Sequence, residues 1–310
     1  TEGEDERVLH AAQQVVSQKL AFPILVGDAK LIEERLHSQG LTIQPGKDFE
    51  LIDIKNSPYY EASWKEYYNL RKRKGVTEEM ARRRLKANST LVGALLVRLG
   101  HADGLVCGTM GRFHDHFAVM EEVIGYNNPE KEAFAMNALI SNKGNFFIAD
   151  TYINENPTAE QLAKGTLMCA AEMKRFGLKP KVALVSNTNY GSNRNPDANK
   201  MQQALELIRE LDPALEIDGE MQADVALDEE MRKSIFPETT LSGAANLLVM
   251  PNVEAANISY NLLRVNATNG ITVGPILMGL NKPVQIVTPI STVRRIVNMI
   301  ALAAVDAQRQ

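Results

Sequence analysis

Apolar positions follow two alternating rhythms along the chain. Val8, Ala11, Ala12, Val15 and Val16 are spaced for one face of a helix. The run 22–26 is then short and almost wholly apolar, the pattern of a buried strand, and Gly27 and Asp28 close it. A helix through Leu31, Ile32, Arg35 and Leu36 ends near Gly40, and a second strand covers 49–54. Residues 59–72 and 77–86 read as helices, with Gly75 as the stop between them. An apolar helix over 91–99 ends at Gly100, and 104–108 reads as strand and turn. The second half repeats the alternation. Strands are expected at 146–149, 182–185, 247–250, 271–273 and 284–287. Helices are expected at 158–176, at 200–211 (Met201, Leu205, Ile208 and Leu211 on one face) and at 292–304 (Val293, Ile296, Val297 and Ile300 inward).

Short apolar strands alternating with amphipathic helices predict an α/β fold whose parallel-type sheets are flanked by helices. In such sheets ligands settle at the carboxyl ends of strands, so the loops after the strands are the places to search. A length of 310 residues is enough for two domains. No apolar run reaches the roughly 18 residues of a membrane span, so no membrane partner is expected. The opening segment 1–7 is acidic and polar, without a signal-peptide pattern. The chain starts on Thr1 rather than Met, which fits an excised portion of a longer polypeptide. Two cysteines, Cys107 and Cys169, make no disulfide framework and read as buried thiols in a cytoplasmic protein. The net charge of −4 argues against a nucleic-acid binder. The dense basic stretch of Arg71, Lys72, Arg73 and Lys74 with Arg82, Arg83 and Arg84 reads as a solvated helix face or as part of a site for a phosphate-bearing ligand.

Three loops could carry chemistry. The loop 186–195 is almost wholly polar and leads into a helix, where backbone amides, hydroxyls and Gly191 can hold an anion or a polar cofactor tail. An ordinary polar strand-to-helix loop fits the same residues. It has neither P-loop nor dinucleotide-fold glycine spacing. The segment 217–224 carries Asp218, Glu220 and Asp224 with Gln222; it reads as a turn with helix capping through Asp218 and Asp224, or as acid–base or metal chemistry. His114 and His116 flank Asp115, but no clear third ligand stands nearby, so no metal is expected.

Several segments together resemble the phosphate acetyltransferase family over nearly the whole chain. They are GEDERVLHAA at 3–12, PILVGD at 23–28, RKRKGVTEEMAR at 71–82, ADGLVCG at 102–108, IDGEMQADVAL at 217–227, GAANLLVMPNVEAANISYNLL at 243–263 and TVGPILMGLNKPV at 272–284. The resemblance implies two α/β subdomains with a cleft between them. The second, at 130–273, is inserted in the first, at 1–129 and 274–310. It implies acetyl transfer between phosphate and the thiol of CoA without a required metal, and a homodimer or higher oligomer.

The departures point away from catalysis. Active members carry Asn-Asp-Leu-Ser-Arg-Gly and then an Asp six residues past the Arg. The matching stretch here is 283–299. The family Ser falls on Thr288, the Arg on Pro289 and the Asp, the proposed base, on Arg295. Proline supplies no cation and arginine no proton acceptor. A family Arg in the loop after ADGLVCG falls on Ala118. The resemblance therefore implies no catalytic residue, but a retained acyl-CoA site over Ser186, Thr188, Asn189, Gly191, Ser192, Thr288, Arg294 and Arg295. VRRIVNM at 293–299 and NISYNLLRV at 257–265 are similar to the C-terminal part of hybrid NADP-dependent malic enzymes. That likeness implies acetyl-CoA, or a related acyl-CoA, as an effector that regulates malate decarboxylation. This portion would hold no cofactor; NADP and a Mg or Mn ion would belong to the malic enzyme part. The alternatives are a working phosphate acetyltransferase, with Thr288 and a carboxylate such as Asp224 substituting, and a purely structural dimerisation module.

Overall fold

Helix α1 (Glu6–Ser17) begins where the Asp5 carboxylate accepts the amide of Arg7, a cap for a donor the helix leaves orphaned. The computed structural model describes every residue except 54–55, 142–143, 194, 267–269 and 310. The expected strand end at Ile54 and the loop residue Arg194 lie outside the described residues. After α1 come β1 (Ile24–Gly27), α2 (Ala29–Ser38), β2 (Glu50–Asp53), α3 (Tyr60–Arg71), α4 (Glu78–Ala87), α5 (Ser89–Arg98), β3 (Leu105–Cys107) and α6 (Phe113–Val123). Gly75 stops the chain between α3 and α4 at φ 84°, a left-handed conformation that glycine adopts without a Cβ clash.

The middle of the chain adds β4 (Phe134–Ser141), β5 (Gly144–Ala149), α7 (Ala159–Arg175), β6 (Lys181–Val185), α8 (Pro196–Leu211), β7 (Glu216–Met221), α9 (Ala223–Leu227), α10 (Glu229–Ile235), β8 (Leu247–Val249), α11 (Val253–Asn266) and β9 (Ile271–Met278). The chain closes with β10 (Val284–Ile286) and α12 (Val293–Ala307). Two compact units result: Thr1–Lys131 with Leu280–Gln310, and Glu132–Gly279 between them in sequence. The expected return to the first unit at 274 needs correction. That position falls inside β9, whose pairing with β4 runs on to Phe134 opposite Met278 and keeps 274–279 in the second unit.

The first unit holds two parallel pairs, β1 with β2 and β3 with β10. Its core joins Val8, Leu9, Ala12 and Val15 of α1 to Leu25, Ile32 and Phe49, and to Ile296 and Val297 of α12. The last helix thus completes a core begun by the first. The second unit has one six-stranded sheet in the order β7-β6-β8-β5-β4-β9. Its first four strands run parallel; β4 is antiparallel to both neighbours. Helix α7 approaches β4 closely at Gly165. A Cβ there would stand 2.1 Å from the Phe134 ring, so any side chain would force the two apart. The acidic segment 217–224, expected as a turn, is mostly strand β7. Among the described residues no helix is long and apolar enough to cross a membrane.

Candidate functional site

In the second unit, the loop after β6 rests on a carboxylate. Glu220 of β7 has no exposed surface. It accepts the Thr188 hydroxyl at 2.8 Å, the Gly191 amide at 3.0 Å and the Gln202 side-chain amide at 2.9 Å. The loop's backbone closes on itself and on β7. The amide of Ser186 donates to Met221 O, Tyr190 to Glu220 O, Asn189 to Ser192 Oγ and Ser192 to Asn189 O. The expectation of a nest of amides open to an anion therefore needs correction at these positions. What the loop presents is side chains: Asn187 and Ser192 are exposed and Asn189 is half-buried, with the backbone of Gly191 exposed beside them. Gln222 joins them, its amide linked to Asn189 and to the carbonyl of Asn187. Asn195 caps α8, with Pro196 in the first turn, so that helix starts four residues before the expected Lys200.

Asp218 is a strut. It pairs with Arg209 at 3.2 Å and accepts from the Thr239 hydroxyl and the Thr240 amide. Asp224 lies exposed at the start of α9 and accepts only from the amide of Val225 among the described residues. Asp150 follows β5, buried, and takes the amides of Ala135, Tyr152, Ile153 and Asn154. Burial raises its pKa, and these donors offset only part of the rise.

In the first unit, the loop after β10 is held from the opposite polarity. The Arg7 guanidinium donates to Pro289 O at 2.5 Å, to Ser291 O at 3.0 Å and to Thr109 O at 3.0 Å. Asp5 orients it through a salt bridge of 2.5 Å. Burial pushes the Asp5 carboxyl up, but Arg7 outweighs it and holds the group below its ordinary value. Thr288 is buried, its amide and hydroxyl both facing the Ser291 hydroxyl. Thr292 caps α12 through the amide of Arg295. The two arginines there separate: Arg294 is exposed, whereas Arg295 is only 6% exposed. Both are expected to add charge at a ligand surface; Arg294 is open to solvent and Arg295 is not. Pro289 is exposed and contributes its carbonyl.

The loop after β3 has a matching carboxylate. Glu2 accepts the amides of Gly108 and Thr109 and the Thr109 hydroxyl. His116 is occupied at both ring nitrogens, by Thr90 at 2.8 Å and Met110 O at 2.6 Å, and Asp115 pairs with Arg112. Ala118 lies on α6. Burial pushes both thiols, Cys107 and Cys169, well above the ordinary cysteine range. Four cations of the basic stretch are engaged within their own unit, Lys72 donating to Asn69 at 3.0 Å. Arg82 stacks on Trp64 at 3.6 Å, and Arg71 and Arg84 both pair with Glu122. Lys72, Arg73, Lys74 and Arg83 remain exposed.

Residues Arg7, Glu2, Gln202 and Arg209 were not among the expected site residues. The only available signal was the placement of the first two in and beside the GEDERVLHAA segment.

The sequence profile of the phosphate acetyl/butaryl transferase family matches residues 1–304. The chain belongs to this family. Among curated members, the phosphate acetyltransferase of Corynebacterium glutamicum is 33% identical over 99% of this chain and 92% of its own length. An NADP-dependent malic enzyme of Escherichia coli is 53% identical over the whole chain, but the match covers 41% of that protein. The chain thus spans about two-fifths of the length of the malic enzymes it matches. A phosphotransacetylase from Streptococcus pyogenes has the same fold, with a TM-score of 0.90 at 29% identity, covering 100% of this chain and 93% of that one. Within the family frame, loop 186–192 and the stretch 288–295 lie after parallel strands, where ligands of α/β sheets collect.

Proposed function

We propose that this chain is an acyl-CoA-binding regulatory module of the phosphate acetyltransferase family that has given up acyl transfer. In a longer polypeptide it serves a malic enzyme part, which supplies NADP, a divalent metal and the decarboxylation of malate. The observation that carries this reading is Arg295. A largely buried guanidinium stands where the resemblance places the family's proton acceptor. A guanidinium keeps its proton at neutral pH and cannot take one from a thiol. Pro289 adds to the loss, since it offers a carbonyl where a cation is needed to draw a phosphoryl group. Removing one charge-stabilising donor costs about 10²–10³-fold in rate. Removing an acid–base group costs a further ~10²–10⁴-fold.

Binding is the retained half. The polar loop 186–192 keeps Gly191 and Ser192 of the family pattern, and its shape is fixed by Glu220. The 53% identity to the malic enzyme of Escherichia coli, against 33% to a phosphate acetyltransferase, favours the regulatory role. The protein acts as a homo-oligomer in the cytoplasm. Calorimetry and thermal melts of the chain with millimolar acetyl-CoA test the binding. Heat of binding and a raised midpoint are expected; a flat response rejects the reading. A second assay mixes acetyl phosphate with CoA and follows the thioester. Turnover at ordinary enzyme rates would establish the working-transferase alternative, for which the retained Thr288 hydroxyl speaks.

A further inference from the structure

Glu220 has a consequence for which part of a ligand the loop can receive. Its carboxylate is fully buried beneath loop 186–192 and collects three donors, from Thr188, Gly191 and Gln202. Among the described residues no cation pairs with it. Asp218, two residues earlier on the same strand, has Arg209 at 3.2 Å. The described residues of the loop therefore close over a carboxylate that none of their cations offsets, set at the helix entrance where α/β proteins otherwise hold phosphate. A phosphate against Gly191 would meet that carboxylate across little screening solvent. An unpaired like charge is an effective way to turn a ligand group away. The exposed rim is of a different chemistry. Asn187, Asn189 and Gln222 carry primary amides, each able to donate and accept at once.

From this we infer that loop 186–192 receives an uncharged, amide-bearing segment of its ligand and rejects phosphate. For an acyl-CoA that segment is the pantetheine arm with its two secondary amides, not the nucleotide end. The inference rests on the acyl-CoA reading above.

The test uses the full chain and three probes: acetyl-CoA, S-acetylpantetheine and adenosine 3′,5′-bisphosphate. Gln222→Ala removes an exposed amide and leaves Glu220 in place; Asn189→Ala removes the half-buried amide opposite it and stands in if the first variant melts early. Either should weaken acetyl-CoA and S-acetylpantetheine by the same factor, about three- to tenfold, with the bisphosphate unchanged. Loss confined to the bisphosphate, or no change with any probe, overturns the inference. Glu220→Gln removes the charge and should raise affinity for the bisphosphate and for inorganic phosphate; unchanged affinity counts against the charge argument. If the unaltered chain binds no acetyl-CoA, the acyl-CoA reading itself falls. If it binds and the variants show the opposite pattern, only the assignment of the arm falls.

Discussion

Two loops that follow parallel strands, one in each unit, are locked by opposite charges. The loop after β6 turns an amide and a hydroxyl toward the Glu220 carboxylate. The loop after β10 turns the carbonyls of Pro289 and Ser291 toward the Arg7 guanidinium. Each lock uses the backbone groups that a bound ion would otherwise use. Burial separates the two. Glu220 has no exposed surface, whereas the Arg7 side chain keeps 32% of its own. Water can replace the partners of an arginine at the surface. It cannot readily reach a carboxylate with no exposed surface, so an equal number of hydrogen bonds has unequal weight in the two places.

The sharpest way to break that contrast is Glu220→Ala. It leaves the Thr188 hydroxyl, the Gly191 amide and the Gln202 side chain without their acceptor. A loss of about 3 kcal/mol is expected, since charge-assisted bonds are stronger and the buried Thr188 hydroxyl is left without its acceptor. Urea denaturation measures it. A change under about 1 kcal/mol would mean that solvent enters beneath the loop.

Arg7→Met tests the other lock. It removes donors to Thr109, Pro289 and Ser291 and frees Asp5. The carbonyls can turn to water, so about 1–2 kcal/mol is expected, roughly half the effect of the first variant. Amide exchange should quicken near 288–291 and stay unaltered near 186–192. Equal losses from the two variants would remove burial as the deciding factor.

The sequence pattern located the alternation of strands and helices well, and it failed where a segment is apolar on both sides or polar inside. Helix α11 was missed: Ala256 and Tyr260 face the core while Ile258, Leu262 and Val265 stand exposed at 53%, 62% and 79%. No single amphipathic stripe marks such a helix. Strand β4 was missed because the run 134–139 is buried throughout, with Asn137 in its middle. Helix α6 hid behind His114, Asp115 and His116, polar residues that break the apolar stripe at its start. The acidic stretch 217–224 read as a turn because its partners come from far away in sequence, at Thr188, Gln202, Arg209 and Thr239. Local pattern carries no record of them. The site was legible to the same extent: the loop 186–195 could be named from its polarity, but nothing local set Glu220 apart from Asp218 and Asp224 as the carboxylate that supports it. Neither Arg7 nor the inward turn of Arg295 beside the outward Arg294 could be seen before the packing was known.

The smallest effect expected concerns a carboxylate at the other end of the strand that bears Glu220. Glu216 opens β7 and pairs with Lys179 at 2.6 Å, and it also accepts the hydroxyl and amide of Ser242. Burial raises its pKa, yet Lys179 and Ser242 outweigh burial and bring it to about 2 from an ordinary 4.5. The folded value lies below the unfolded one, so the unfolded chain binds more protons between the two. Stability from this group is present above about pH 4.5 and is lost as pH falls toward 2. Lys179 is 74% exposed, so solvent and salt screen much of the attraction. The expected contribution is therefore under about 1 kcal/mol. Urea midpoints of the unaltered chain and of Glu216→Gln, followed from pH 5 to pH 2.5, measure it. The two curves should approach each other as pH falls, and 1 M salt should narrow the gap at pH 5. Curves that stay parallel would show that the carboxylate keeps its ordinary value. The low pKa would then belong to no tight pair, and Asp218 and Glu220 would remain as the carboxylates that hold this strand's neighbours in place.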